Sequence, residues 1–91
     1  MRYSIVYDKP GRLRLRCGMY AFNEQQGFGL AALLRENPAV LSVEVTYRNG
    51  GMLIYYQPGS KAAVLEQIDA IKKSDLPELE AQENDLSNKL D

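Results

Sequence analysis

Apolar and polar side chains alternate along several short stretches of the chain, which is the pattern of half-buried β-strands. The clearest stretch runs over residues 12–17, where three arginines alternate with Leu13, Leu15 and Cys17. Residues 3–7 and 40–47 show similar alternation, and residues 52–57 follow as a return strand. We therefore expect four strands.

Turn-forming residues separate the strands of each pair. Pro10-Gly11 lies between the first two strands, where proline fixes one φ angle and glycine accepts a positive one. Asn49-Gly50 lies between the last two, and this dipeptide favours a two-residue primed turn. Each pair of strands should therefore form a hairpin.

Helical spacing of apolar residues appears after each hairpin. The first stripe consists of Leu30, Ala31, Leu33 and Leu34, and it stops at Asn37-Pro38. Asn23 and Gln26 have the spacing of a capping box at its start. A helix that starts at Asn23 would include Gly27 and Gly29, which is unfavourable because each glycine costs about 1 kcal/mol in a helix relative to alanine. We therefore expect the helix to begin late, near Gly29.

The second helix should begin at Ser60, whose hydroxyl can cap it. Its expected inward positions are Val64, Leu65, Ile68 and Ile71.

The resulting chain order is strand-strand-helix-strand-strand-helix, which indicates an α+β fold. The expected architecture is a ferredoxin-like two-layer sandwich, with a four-stranded antiparallel sheet and both helices on one face. Residues 72–77 make a poor strand, so we expect residues 3–7 to pair with residues 12–17 at that edge of the sheet.

Charge divides the chain into two parts. Residues 1–74 carry ten Lys or Arg against six Asp or Glu, whereas residues 75–91 carry one Lys against six Asp or Glu. With 91 residues, the chain has room for one small domain. We predict a domain over residues 1–75 and an acidic linker or short helical tail over residues 76–91.

Cysteine usage and hydropathy indicate a reducing, non-membrane setting. The chain has one cysteine, so an internal disulfide is excluded. No apolar run approaches the roughly 20 residues of a membrane span. We therefore expect a cytosolic domain.

The arginine side chains Arg12, Arg14 and Arg16 should lie on one face of the sheet, about 7 Å apart along the strand. This spacing has two interpretations: a docking surface for an anionic partner, or an ordinary solvated sheet face. The anionic partner would be the acidic tail of this chain, another cytosolic domain of the same protein, or lipid headgroups. Nucleic acid is disfavoured, because the arginine strand lacks the interleaved aromatic residues on which bases stack.

Three segments carry a resemblance to a known family. They are residues 10–16 (Pro-Gly-Arg-Leu-Arg-Leu-Arg), Pro38-Ala39-Val40 with Ser42-Val43, and residues 51–58. Together they resemble the soluble heavy-metal-associated domains at the N-termini of metal-translocating P-type ATPases, over residues 3–71. The family's Gly-Met-x-Cys-x-x-Cys loop is replaced here by Cys17-Gly18-Met19 without a second cysteine. The match is closest to the divergent subgroup that has lost the cysteine pair.

The resemblance implies an N-terminal regulatory domain at the cytoplasmic face of a membrane, in a parent protein that transports a heavy-metal cation with ATP. Its partners would be other cytosolic domains of that parent or a second copy, and the parent would supply the only membrane contact. Cys17 and Met19 would form a degenerate, weak site for Cu(I) or Zn(II). Alternatively, Cys17 is a small apolar residue of the core.

An enzymatic role is not expected for this chain alone. It has no histidine and no nucleophile–base pair at recognisable spacing. A separate candidate role is a stand-alone ferredoxin-like module that senses a ligand or binds a protein and has no connection with metal.

Overall fold

The alternating stretches form the expected four-stranded antiparallel sheet, and the two apolar stripes form helices. The computed structural model describes residues 1–80. Its elements are β1 (Ser4–Lys9), β2 (Arg12–Arg16), α1 (Glu24–Arg35), β3 (Val40–Thr46), β4 (Gly51–Tyr56), α2 (Lys61–Ala70) and a short 3-10 helix (Lys73–Asp75).

Across the sheet, the strands lie in the order β1-β2-β4-β3. Each of the three neighbouring pairs is antiparallel. The expected pairing of the first strand with the arginine strand is therefore confirmed, and β1 and β3 are the two edges of the sheet.

One face of the sheet and both helices share a single apolar core. Leu13 and Leu15 of β2 are completely buried, as the alternation predicts. The core residues are Leu13, Leu15, Phe22, Leu30, Ala31, Leu34, Val43, Met52, Ile54, Tyr56, Val64, Ile68, Ile71 and Leu76. The opposite face of the sheet is left uncovered by α1 and α2.

Two bulges interrupt the alternation at the edge strands. In β1 the register with β2 shifts between Ile5 and Tyr7, which makes Val6 the extra residue. In β3 the register with β4 shifts between Val40 and Ser42, and Leu41 is 60% exposed as a result. The alternation over residues 40–47 predicts that Leu41 is buried together with Val43, so the prediction is wrong at Leu41. Bulges at edges also hinder pairing with another chain.

Helix α1 begins earlier than expected, at Glu24. Asn23 Oδ1 accepts from the Gln26 amide at 2.8 Å, and the Gln26 side chain accepts from the Asn23 amide at 2.9 Å. This reciprocal capping box satisfies two amides of the first turn, so the late start near Gly29 is wrong.

The two glycines of α1 face packed neighbours. A Cβ on Gly27 would lie 3.3 Å from Val45 Cγ1, and a Cβ on Gly29 would lie 2.8 Å from the carbonyl carbon of Pro77. Glycine at position 29 therefore allows the chain after the second helix to lie directly against α1.

The segment after the 3-10 helix belongs to the packed structure. Leu76 is 6% exposed and lies in the core, and the Leu79 amide donates to the Gln25 carbonyl at 3.1 Å. The packed region therefore reaches at least Leu79, beyond the boundary predicted after residue 75. Most of the predicted acidic tail, residues 81–91, lies outside the described residues.

The β3–β4 hairpin differs from the two-residue primed turn predicted for Asn49-Gly50. Four residues, 47–50, connect the strands, and the Gly50 amide donates to the Tyr47 carbonyl at 3.4 Å. Among the turn residues only Gly50 has a positive φ, of 67°, and the Asn49 side chain accepts a hydrogen bond from the Gly51 amide. The hairpin itself is confirmed.

Helix α2 is anchored at its end rather than at its start. Ser60 occupies the N-cap position, but its side chain makes no capping hydrogen bond, so that prediction is wrong. At the other end, the Met1 ammonium donates to the carbonyls of Ile68, Asp69 and Ile71 at 3.1, 3.2 and 2.7 Å. A cation is favourable there, because the last carbonyls of a helix carry partial negative charge.

Within residues 1–80, no helix is both long enough and apolar enough to cross a membrane.

Candidate docking face

The uncovered side of the sheet, which we call the open face, carries the arginines of β2. Along that strand the residues alternate between exposed and buried, with Arg12, Arg14 and Arg16 exposed. The predicted placement of the three guanidinium groups on one face is therefore confirmed. β2 is a central strand, so the three arginines lie in the middle of the open face and not at its rim.

Strand register shows which side chains flank each arginine. Opposite residues of an antiparallel pair lie on the same face of the sheet. The flanking pairs are Lys9 and Tyr55 for Arg12, Tyr7 and Leu53 for Arg14, and Ser4 and Gly51 for Arg16. Lys9 thus joins the three arginines, and we call these four residues the basic patch.

Arg12 lies between two tyrosine rings. Its guanidinium carbon is 5.0 Å from the centroid of the Tyr7 ring and 5.6 Å from that of the Tyr55 ring. The Lys9 ammonium also lies over Tyr7, at 5.3 Å. Contacts of this kind are attractive because the face of an aromatic ring is electron-rich.

The basic patch is not neutralised by the part of the chain that the structure describes. Among residues 1–80, no carboxylate forms an ion pair with Lys9, Arg12, Arg14 or Arg16. Glu44 of β3 is the acidic residue on this face, opposite Leu53. The ion pair between Lys61 and Asp8 lies outside the patch. The open face is therefore strongly cationic.

A depression of about 250 Å³ adjoins the basic patch. Gly51 has no side chain to fill it, and Arg14, Arg16, Glu44, Thr46 and Leu53 contribute to its walls. It has room for a side chain of a binding partner beside two of the arginines.

Cys17 and Met19, the predicted metal ligands, lie in different surroundings. Cys17 follows β2, is half-buried and packs against the core, whereas Met19 is 63% exposed. Burial raises the pKa of the Cys17 thiol above its ordinary value, although the chain's amino terminus opposes the shift. A protonated thiol is a poor ligand, since metals bind the thiolate.

The donors near Cys17 do not fit a structural Cu(I) or Zn(II) site. Such sites use about four ligands, and among residues 1–80 no three His, Cys, Asp or Glu side chains are grouped to hold a metal. Cys17 and Met19 supply one thiol and one thioether.

We predict that the domain alone does not bind Cu(I) or Zn(II) tightly, because one protonated thiol and a thioether cannot replace a thiolate pair. A competition titration against a chromogenic chelator measures this directly. Stoichiometric binding at sub-micromolar affinity that disappears in Cys17→Ser would contradict the prediction.

Tyr7 and Tyr55 are the members of the open face that the sequence pattern did not identify. Alternation groups Tyr7 with Tyr3 and Ile5, but the bulge at Val6 turns Tyr7 onto the face of the arginines. The adjacent apolar pair Val6-Tyr7 is the signal of that bulge. For Tyr55, the pair Tyr55-Tyr56 requires one ring to face outward; Tyr55 is 37% exposed and Tyr56 is 2% exposed.

No model of a known protein family matches the chain, and no match was found to a curated protein or to a solved structure. The fold and the open face described above therefore carry the functional argument.

Proposed function

We propose that this chain is a non-catalytic docking domain whose basic patch binds an acidic segment of a partner protein. The observation that carries the proposal is the set of four exposed cations on the open face without a carboxylate partner among residues 1–80. Exposed cations on a solvated sheet face are common. Here, however, they occupy neighbouring positions on adjacent strands, where their fields add.

We also propose that the fold is ferredoxin-like and that the parent protein is a cation-transporting P-type ATPase. In the metal-domain family, the strand after the second helix lies against the first strand of the motif. β1 occupies that place here, since it pairs with the Pro-Gly-Arg strand β2. This pairing is what the proposed permutation requires, and it supports the sequence resemblance. ATP hydrolysis and ion transport would belong to other parts of the parent.

In this proposal the domain regulates the parent by reversible docking. Its basic patch attracts an acidic surface of another cytosolic domain, and salt weakens the contact because exposed charges are screened. Cys17 and Met19 take no part. The domain therefore acts through its sheet face and not through the loop that binds metal in the family.

We predict that replacing Arg12, Arg14 and Arg16 with Gln leaves the fold intact and weakens binding of an acidic peptide. Three exposed ion pairs at about 0.5–1 kcal/mol each correspond to about 10- to 100-fold in affinity. Fluorescence anisotropy with a labelled glutamate-rich peptide at low ionic strength measures the loss, and thermal melting checks the fold.

The matched control replaces Arg48, Lys72 and Lys73 with Gln. This variant has the same net charge, but its substitutions lie outside the open face, so it should bind as the wild type does. If both triple variants lost the same affinity for the peptide, binding would depend only on net charge. That result would contradict a docking site on the open face. If the reading frame continues into membrane helices, turnover of the parent ATPase with each triple variant extends the same comparison.

A further inference from the structure

We infer that Arg12 is the anchoring residue for the acidic partner, and that its guanidinium binds one carboxylate through two parallel hydrogen bonds. This inference rests on the proposed docking function and adds a ranking within the basic patch. The three arginines have the same charge and all three are exposed, so a purely electrostatic patch would treat them as equivalent. Their surroundings are not equivalent.

The difference is in ring contacts: two tyrosine rings contact Arg12, although Tyr7 lies opposite Arg14 in the strand register. Tyr7 and Tyr55 come from the strands on either side of β2, and both rings are within 6 Å of the Arg12 guanidinium carbon, at 5.0 and 5.6 Å. Among residues 1–80, neither Arg14 nor Arg16 makes such a ring contact. Arg16 is flanked instead by Ser4 and Gly51, which offer no ring at all.

Contact with two rings restricts the Arg12 side chain before a partner arrives. A long flexible side chain normally loses rotamer entropy when it is fixed at an interface, and that loss weakens binding. Restriction in the free domain removes part of this cost. The guanidinium is planar and presents its donors in a fork that matches a carboxylate, so a pre-positioned guanidinium favours two-point binding.

The same contacts favour an acidic peptide over a single-stranded nucleic acid. Bases bind sheet faces by stacking on open aromatic rings. The Tyr7 ring already has two cations over it, Lys9 at 5.3 Å and Arg12 at 5.0 Å, and Tyr55 is in contact with Arg12. Both rings are therefore already in contact with cations, which hinders the stacking of bases on them. Face-to-face pairing of two copies through this face is disfavoured, since two basic patches repel each other.

The spacing of the arginines specifies the peptide further. Alternate residues of an extended strand lie about 7 Å apart, and this is the repeat of Arg12, Arg14 and Arg16 along β2. An extended segment with acidic residues at alternate positions can therefore place successive carboxylates over successive arginines. A matched probe is a fluorescein-labelled peptide of alternating glutamate and serine.

The test compares Arg12→Lys with Arg16→Lys in the full chain, using fluorescence anisotropy with that peptide. Both substitutions keep the charge, but lysine lacks the planar fork. We expect Arg12→Lys to weaken binding about tenfold, as loss of an interface anchor does, and Arg16→Lys to weaken it less than about threefold. Arg48→Lys is the control, because Arg48 also contacts a ring, that of Tyr47 at 6.0 Å, but lies outside the basic patch. It should have no effect.

Equal affinity losses for Arg12→Lys and Arg16→Lys would contradict the role of Arg12 as the anchoring residue. The proposed docking face would not be affected by that result. Tighter binding of a labelled oligothymidylate than of the peptide would overturn the choice of partner. If the wild-type chain binds neither probe at low ionic strength, the proposed docking function itself fails, and this outcome differs from the other two.

Discussion

Deletion of residues 1–9 is expected to abolish cooperative unfolding of the domain. β1 pairs with β2 from Ser4 to Lys9, and its removal would expose an unpaired edge of a central, core-forming strand. The deletion also removes Met1 and Tyr3, which pack against the core. Several lost hydrogen bonds at about 1 kcal/mol each approach the total stability of about 5 kcal/mol that is typical of small domains.

Thermal melting followed by circular dichroism, together with light scattering, measures this effect. We expect no sigmoidal transition and an increase in aggregation. Val6→Thr is the control, because Val6 lies on the same strand at the bulge and its side chain is 48% exposed. That variant should melt as the wild type does. A truncated chain that keeps the wild-type melting temperature would show that β1 is not an integral strand.

The second large effect is expected at Gly29 of α1. A Cβ at this position would lie 2.8 Å from the Pro77 carbonyl carbon, and backbone atoms cannot move aside as a side chain can. Gly29→Ala should therefore detach the segment that follows the 3-10 helix. Exposure of Leu76 costs about 1.5–3 kcal/mol, whereas the gain in helix propensity is about 1 kcal/mol. The net loss should be about 0.5–2 kcal/mol.

Gly27→Ala in the same helix is the matched comparison. Its nearest neighbour is the Val45 side chain at 3.3 Å, which can shift slightly. We expect this variant to be as stable as the wild type or more stable, since it gains the same helix propensity. Urea unfolding of the two variants measures the difference. If Gly29→Ala were as stable as Gly27→Ala, the chain near Pro77 would not be packed against α1.

The packing around these glycines shows which features of the fold could not be predicted from the sequence. Alternation along β2 predicted its buried and exposed positions correctly, because a strand's side chains must alternate between faces. Propensity alone placed the start of α1 too late, because the reason for Gly29 lies in a backbone segment nearly fifty positions further along the chain. Contacts between distant segments leave no periodic pattern in the sequence.

The open face was predictable to a similar extent. The positions of Arg12, Arg14 and Arg16 followed from strand periodicity. The contact between Arg12 and the rings of Tyr7 and Tyr55 did not follow from strand periodicity. It depends on a bulge in one neighbouring strand and on the register of another. Both are properties of strand pairing, which a single sequence specifies only weakly.

The attachment of Met1 to the end of α2 has a consequence for how the domain is made. The β1–β2 hairpin is local, so it can form soon after its residues leave the ribosome. The amino group of Met1, however, finds its acceptors only when Ile71 has emerged, 70 positions later. Synthesis adds about 5–20 residues per second, so the start of the chain waits for seconds beside an incomplete core. Met1 is thus among the last residues of the domain to reach its native contacts.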